Sequence, residues 1–182
     1  FLEAGDNTLN LQLAAELYRN CILNGGFDPE TWLKRYVEVM LTPGWHQDTY
    51  AEEYHRAFFD NYSSGKPLLS SGISDYHIGG LSLIPAMLAS MEALDLNDSS
   101  DQLEKVLNLV RLTHNHEYTL RAATDLTRIF HRLVQGESIR HTLKTLPIPG
   151  VSVRLLEKWE NMDDRVVVGD TLSTACYLPE SF

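Results

Sequence analysis

The chain has 182 residues, enough for one sizeable hydrophobic core. Apolar residues make up 43 % and charged residues 22 %, ordinary values for a globular domain, and no run of about eighteen apolar residues is present to span a membrane. The formal net charge of −10 argues against a nucleic-acid backbone as partner, but still allows a small anion bound by backbone N–H groups at helix N-termini.

Helical periodicity dominates from the start. Leu11, Ala14, Ala15, Tyr18 and Ile22 follow the i, i+3, i+4, i+7 pattern, and Gly25-Gly26 stops that helix. A second helix is expected after Asp28-Pro29-Glu30, an N-cap followed by a proline at the first helical position. Its stripe is Leu33, Tyr36, Val37 and Met40, and Pro43-Gly44 ends it. A third carries Tyr50, Tyr54, Ala57, Phe58 and Tyr62 and closes at Ser63-Ser64-Gly65.

A loop rich in serine and glycine runs from Lys66 to Asp75. The apolar helix after it holds Leu81, Ile84, Leu88 and Met91, and Pro85 within the pattern predicts a kink or an offset start. Asn97-Asp98-Ser99-Ser100 caps a helix with Leu103, Val106, Leu107 and Val110. After a break at Thr113 to His116, a long helix carries Ala122, Leu126, Ile129, Phe130 and Leu133 and closes at Gly136. Shorter helices are expected around Ile139 to Leu143 and Val153 to Trp159, with a last one after Gly169-Asp170-Thr171. Arg165-Val166-Val167-Val168 has no visible partner strand and reads as an extended linker. No fixed-period repeat suggests a solenoid. The expectation is a single, compact, orthogonal all-α domain over residues 1–182, with abrupt ends that read as cuts through a longer chain.

Cys21 and Cys176 lie far apart, and no zinc spacing or disulfide framework is seen. Two buried or half-buried thiols in a reducing compartment, hence a cytoplasmic setting, is the expectation. There is no sign of a signal peptide, a P-loop, a Rossmann fingerprint or a nucleophile elbow. The expected partners therefore exclude nucleic acid and membrane.

Three segments carry polar groups suited to chemistry. Gly5-Asp6-Asn7-Thr8 puts oxygens at a helix start, where they suit either a magnesium ion or an N-cap; spacing alone favours the cap. Ser70-Ser71-Gly72-Ile73-Ser74-Asp75-Tyr76-His77-Ile78-Gly79-Gly80 combines small residues with an acid, an aromatic and an imidazole. It suits either a connector or a cradle in which a ligand approaches backbone N–H groups closely. His114-Asn115-His116 offers two imidazoles in a break between helices, where solvated histidines and an Asn115 N-cap are the plainer alternative.

Taken in order, these segments resemble the ADP-ribosylglycohydrolase family. Gly5 to Thr8 opening an apolar helix is similar to the family's Ser/Thr-Asp-Asp-Thr segment. Ser71-Gly72 through Gly79-Gly80 to Pro85 looks like its glycine-rich loop running into a proline-containing helix. Leu112-Thr113-His114-Asn115-His116 is similar to its Thr-His-x-His element. The resemblance implies an all-helical, magnesium-dependent hydrolase of a glycosidic bond of ADP-ribose, acting on ADP-ribose or an ADP-ribosylated substrate. An oxocarbenium-like ribose in the transition state makes a metal and oriented carboxylates useful. Carried over, Asp6, Asn7 and Thr8 would ligate the metal, with Asp6 catalytic. Gly72, Ser74, Asp75, Tyr76, His77, Gly79, His114 and His116 would bind substrate.

Two departures stand out. Asn7 occupies the place of a second aspartate and Gly5 that of a hydroxyl residue. The family's C-terminal Gly-Gly-Asp-x-Asp-Thr is also missing, for Leu172-Ser173 follow Gly169-Asp170-Thr171 and Asp170 reads as an N-cap. The resemblance thus also admits a non-catalytic, crystallin-like or ADP-ribose-binding member that has lost the metal chemistry.

Overall fold

The structure, a computed structural model, describes residues 2–146 together with Met162 and Leu178. It is all-α. The elements in chain order are α1 (Leu9–Asn24), α2 (Pro29–Leu41), α3 (Glu53–Ser63), α4 (Ile84–Ala93), α5 (Ser99–Arg111), α6 (Glu117–Val134) and α7 (Ile139–Thr145). Two short 3-10 turns, Leu68–Ser70 and Ile78–Leu81, lie between α3 and α4. The expected helix over Val153 to Trp159, the Arg165 to Val168 linker, the helix after Asp170, and Cys176 lie outside the described residues.

Local chemistry sets the helix ends. Thr8 caps α1, its hydroxyl accepting from the Leu11 N–H, and Gly25 closes it in the left-handed region at φ 69°. Asp28 caps α2, with Pro29 in the first turn. Pro85 falls in the first turn of α4, so the proline inside the apolar pattern marks an offset start; the Ile78–Leu81 turn carries the preceding residues. Asp98 caps α5, accepting from Ser100 and Asp101. The cap of α6 is His116, whose Nδ1 accepts from the Tyr118 N–H, and this corrects the expected Asn115 cap.

The core is centred on α1 against α4, with α5 against α6 beside them. Leu9, Leu13, Leu17 and Cys21 are buried on α1 and meet the same cluster as Ile84, Met87, Leu88 and Met91 of α4. Of the stripe expected on α1, Ala14 is buried but Leu11 and Tyr18 are exposed. This helix has apolar residues on more than one face, and periodicity alone does not choose between two i, i+4 ladders. Tyr50 and Tyr62, expected to face the core from the third helix, are exposed as well. Leu33, Tyr36 and Phe58 complete the core at the α2 and α3 side. Each such aliphatic or aromatic side chain contributes about 1.5–3 kcal/mol by leaving water.

One long-range backbone link positions the site. The Ile73 N–H donates to the Thr113 carbonyl at 3.3 Å, and the Asn115 N–H donates to the Ile73 carbonyl at 2.9 Å. A parallel bridge thus ties the serine-glycine loop to the break between α5 and α6. Gly72 makes this contact sterically possible, because a Cβ there would lie 2.2 Å from the Leu112 carbonyl oxygen.

Candidate functional site

Two of the three segments singled out in the sequence are therefore pinned together, and the first turn of α1 reaches them through Tyr54. The Tyr54 hydroxyl donates to Asn10 Oδ1 at 3.1 Å. Its ring lies 4.2 Å from the His114 ring and 6.0 Å from the His77 ring, centroid to centroid. A Cβ at Gly79 would sit 2.9 Å from Tyr54 Cε1 and 2.7 Å from His77 Nδ1; one at Gly80 would sit 2.7 Å from His114 Cγ. The glycines of this loop are thus accounted for by the protein's own backbone and rings.

Several of the loop's N–H groups are similarly committed. The Ile73 N–H goes to Thr113, the His77 N–H to Asp75 Oδ1, the Gly79 N–H to His77 Nδ1 and the Gly80 N–H to the His77 carbonyl. Asp75 also receives Thr119 Oγ1 on its carbonyl at 2.8 Å, which fastens the loop to α6. Ser74 is exposed at the loop's surface.

His114 is fully buried beneath this loop. Its Nδ1 is 2.8 Å from Thr113 Oγ1, while its Nε2 is buried without a hydrogen-bond partner. Burial first, then the neighbouring His77 and His55, push its pKa down to about 3, so the ring is neutral near pH 7. His116 lies nearer the surface. Its ring is 5.2 Å from Tyr76 and 5.1 Å from Tyr118, and the two tyrosines meet edge to face at 6.4 Å. Tyr76 and Tyr118 are 41 % and 40 % exposed, so aromatic edges and faces stand open to solvent beside the loop. With Nδ1 accepting the Tyr118 N–H, the proton of a neutral His116 sits on Nε2.

Beneath Tyr54 runs a polar chain of which only Tyr36 and Tyr54 stand out in the sequence, both on apolar stripes. Asn10 Nδ2 donates to Glu52 Oε1 at 2.9 Å. His55 Nε2 lies 3.5 Å from Glu52 Oε2, too long for a full hydrogen bond, and His55 Nδ1 meets the Tyr36 hydroxyl at 2.7 Å. The adjacent His55 ring above all, helped by the Glu52 backbone and Asn10, holds the Glu52 carboxyl down at about 2 against the effect of burial. Burial, with the Glu52 charge second, keeps Tyr36 and Tyr54 protonated. A cavity of about 20 Å³, of water size, is lined by Asn10, Tyr36, Tyr54, His55, Gly79 and Thr113 among others. The sequence signal for this chain was slight: Glu52 and His55 stand three apart at a helix start, and Tyr54 sits on the apolar stripe.

The proposed metal segment is differently engaged. Asp6 is exposed, its Oδ2 accepts the Glu3 N–H at 2.8 Å, and its own N–H returns to the Glu3 carbonyl. Asn7 is exposed and its carbonyl accepts Gln12 Nε2. Thr8 Oγ1 accepts the Leu11 N–H at 3.4 Å, and Asp48 Oδ2 accepts the Leu9 N–H at 3.0 Å. Among the described residues, no group of three or more His, Cys, Asp or Glu is arranged to hold a metal ion. The oxygens at this helix start do not fit a magnesium site: Asp6 is the one carboxylate of Gly5 to Thr8, Asp48 and Thr8 are engaged by the first N–H groups of α1, and α1 presents its positive end.

A roomier groove of about 630 Å³ lies elsewhere, between α4, α5 and the end of α6, lined by Leu88, Glu92, Gln102, Phe130, His131 and Val134 among others. It is large enough for a small molecule. Its walls are mainly apolar, His131 and Gln102 are bonded to each other at 2.6 Å, and Glu92 adds negative charge, a poor match to a diphosphate. Among the described residues, no helix is long and apolar enough to cross a membrane. No protein-family model, no curated protein and no solved structure matches the chain.

Proposed function

We propose that this chain holds an ADP-ribosyl group over the face formed by the Ser71–Gly80 loop and the His114–His116 break, as an ADP-ribosylglycohydrolase-like protein. The observation that carries the reading is the Tyr76, His116 and Tyr118 cluster at the surface of the bridge between those two segments. Exposed aromatic rings stack on a nucleobase, and each such contact is worth about 1–3 kcal/mol. The His116 Nε2–H is a donor for a phosphate or ribose oxygen. The water-sized cavity below Gly79 is far too small for a nucleotide, so the ligand lies on the outer side of the loop, and the buried His114 supports that side from beneath.

The hydrolytic reading rests on the family resemblance. Since Asp6, Asn7 and Thr8 do not fit magnesium, no step is assigned to the metal. The donor set favours the binding, non-catalytic reading. Calorimetry of the chain with ADP-ribose, AMP and ribose 5-phosphate separates the contributions. One-to-one binding of ADP-ribose, with AMP retaining part of the affinity, is the expected result. No heat from ADP-ribose up to millimolar concentration would remove the proposal. Release of ADP-ribose from an ADP-ribosylated protein, measured beside an Asp6→Ala control, decides between binding and hydrolysis.

A further inference from the structure

We propose that Tyr54 is a positioning residue for the loop that presents this face, held in one orientation by Asn10 and Glu52; the effect on ligand rests on the function proposed above. Tyr54 is buried and touches the site on three sides, at the His114 ring, the His77 ring and the bare face of Gly79. The loop is laid directly on its ring, so a shift of that ring moves Gly79 and His77 with it.

The hydrogen-bond chain behind Tyr54 has only one workable direction. A carboxylate can only accept, so the Asn10 NH₂ must face Glu52. That turns the Asn10 carbonyl oxygen toward Tyr54, which donates its hydroxyl proton. Glu52 remains ionised at all ordinary pH values, and Tyr54 remains a phenol, so the direction does not reverse. Glu52 stands at the N-cap position of α3 and sits beside His55, which Tyr36 anchors from α2. Three helices thereby set the height of one tyrosine ring under the loop. Packing alone does not need this: a phenylalanine would fill the same space without the hydroxyl.

Two variants test the idea. Tyr54→Phe keeps the ring and removes the donor. Glu52→Gln keeps the shape, but offers Asn10 a donor as well as an acceptor and so permits its amide to turn over. Both are followed by amide and imidazole NMR and by calorimetry with ADP-ribose, at temperatures where circular dichroism shows each variant folded. The expected result is displacement of the Gly79 and Gly80 amide and His77 ring signals in both variants. ADP-ribose affinity should fall about 5- to 10-fold, the equivalent of one lost hydrogen bond. Glu52→Gln is decisive, because it touches neither the loop nor the ligand face. Unmoved loop signals in both variants would overturn the proposal, whether or not ligand binds. If the wild-type chain fails to bind ADP-ribose while the loop signals still move, the ligand reading falls and the positioning role stands. If the wild type binds and both variants bind equally well, the role in binding is refuted.

Discussion

The Tyr54 and His114 rings lie 4.2 Å apart, one from α3 and one from the break before α6, and both residues are buried. This contact joins the first half of the helical domain to the second beneath the loop that bears the candidate site. Both rings stay uncharged near neutral pH, as burial requires.

Gly72→Ala is expected to destabilise the fold. The new Cβ meets a backbone carbonyl at 2.2 Å, and backbone cannot swing aside as a flexible side chain does. Overpacking of this kind costs about 1–3 kcal/mol, and here it also opens the Ile73 bridge. Urea denaturation measures the loss; an unchanged midpoint would show that the loop relaxes without cost.

Much of this architecture was legible in the sequence. Asp28-Pro29, Asp98 and Gly25 each placed a helix end, because capping chemistry is local. The two segments around Gly72 and His114 stood out for their residue types. The family resemblance implies that they lie close together on one face, but the parallel bridge through Ile73 that joins them was not legible, since sequence spacing carries no information about such a pairing. Nor were Asn10, Glu52, His55 and Tyr36 legible as a network: each occupies an ordinary helical position, and only the crossing of three helices makes them neighbours. The choice between Leu11 and Leu9 as the inward ladder of α1 was likewise settled by α4, not by periodicity.

Stability should fall early on acidification. His114 titrates at about 3 in the fold against 6.5 for a free imidazole, so between those values the unfolded chain takes up a proton that the folded chain refuses. Its contribution is complete above pH 6.5 and is lost as pH falls toward 3. Burial lowers His131 with the same sign. Glu52, near 2 against 4.5, adds its loss only below 4.5. Thermal melts from pH 7 to 5 should therefore decline in the wild type and decline less in His114→Gln. Parallel curves would assign the acid sensitivity to other groups.

Tyr36→Phe should cost about 1–2 kcal/mol, because it removes the hydroxyl bonded to His55 Nδ1 and leaves a buried imidazole nitrogen unpaired. The aromatic contacts of the ring with Phe58 and Phe59 are retained. Guanidinium unfolding reports the difference, and a stability equal to wild type would mean that His55 finds another partner.

Chelation of magnesium should leave ADP-ribose affinity within about twofold, since Gly5 to Thr8 offers a single carboxylate and Thr8 is engaged as a cap. Asp6→Ala should behave in the same way. Competition calorimetry with and without EDTA makes the comparison, and a tenfold loss on chelation would mean that a metal contributes to the site after all.

The most direct test of the central claim is a map of amide and imidazole NMR shifts on titration with ADP-ribose. Binding over the loop and the histidine break predicts saturable changes at Ser74, Tyr76, His116 and Tyr118, with smaller ones at the supporting Gly79 and His114. It also predicts that Tyr76→Ala and His116→Ala each weaken binding about tenfold. Shifts confined to the groove around Leu88, Phe130 and Val134, or no saturable shift at all, would contradict the account.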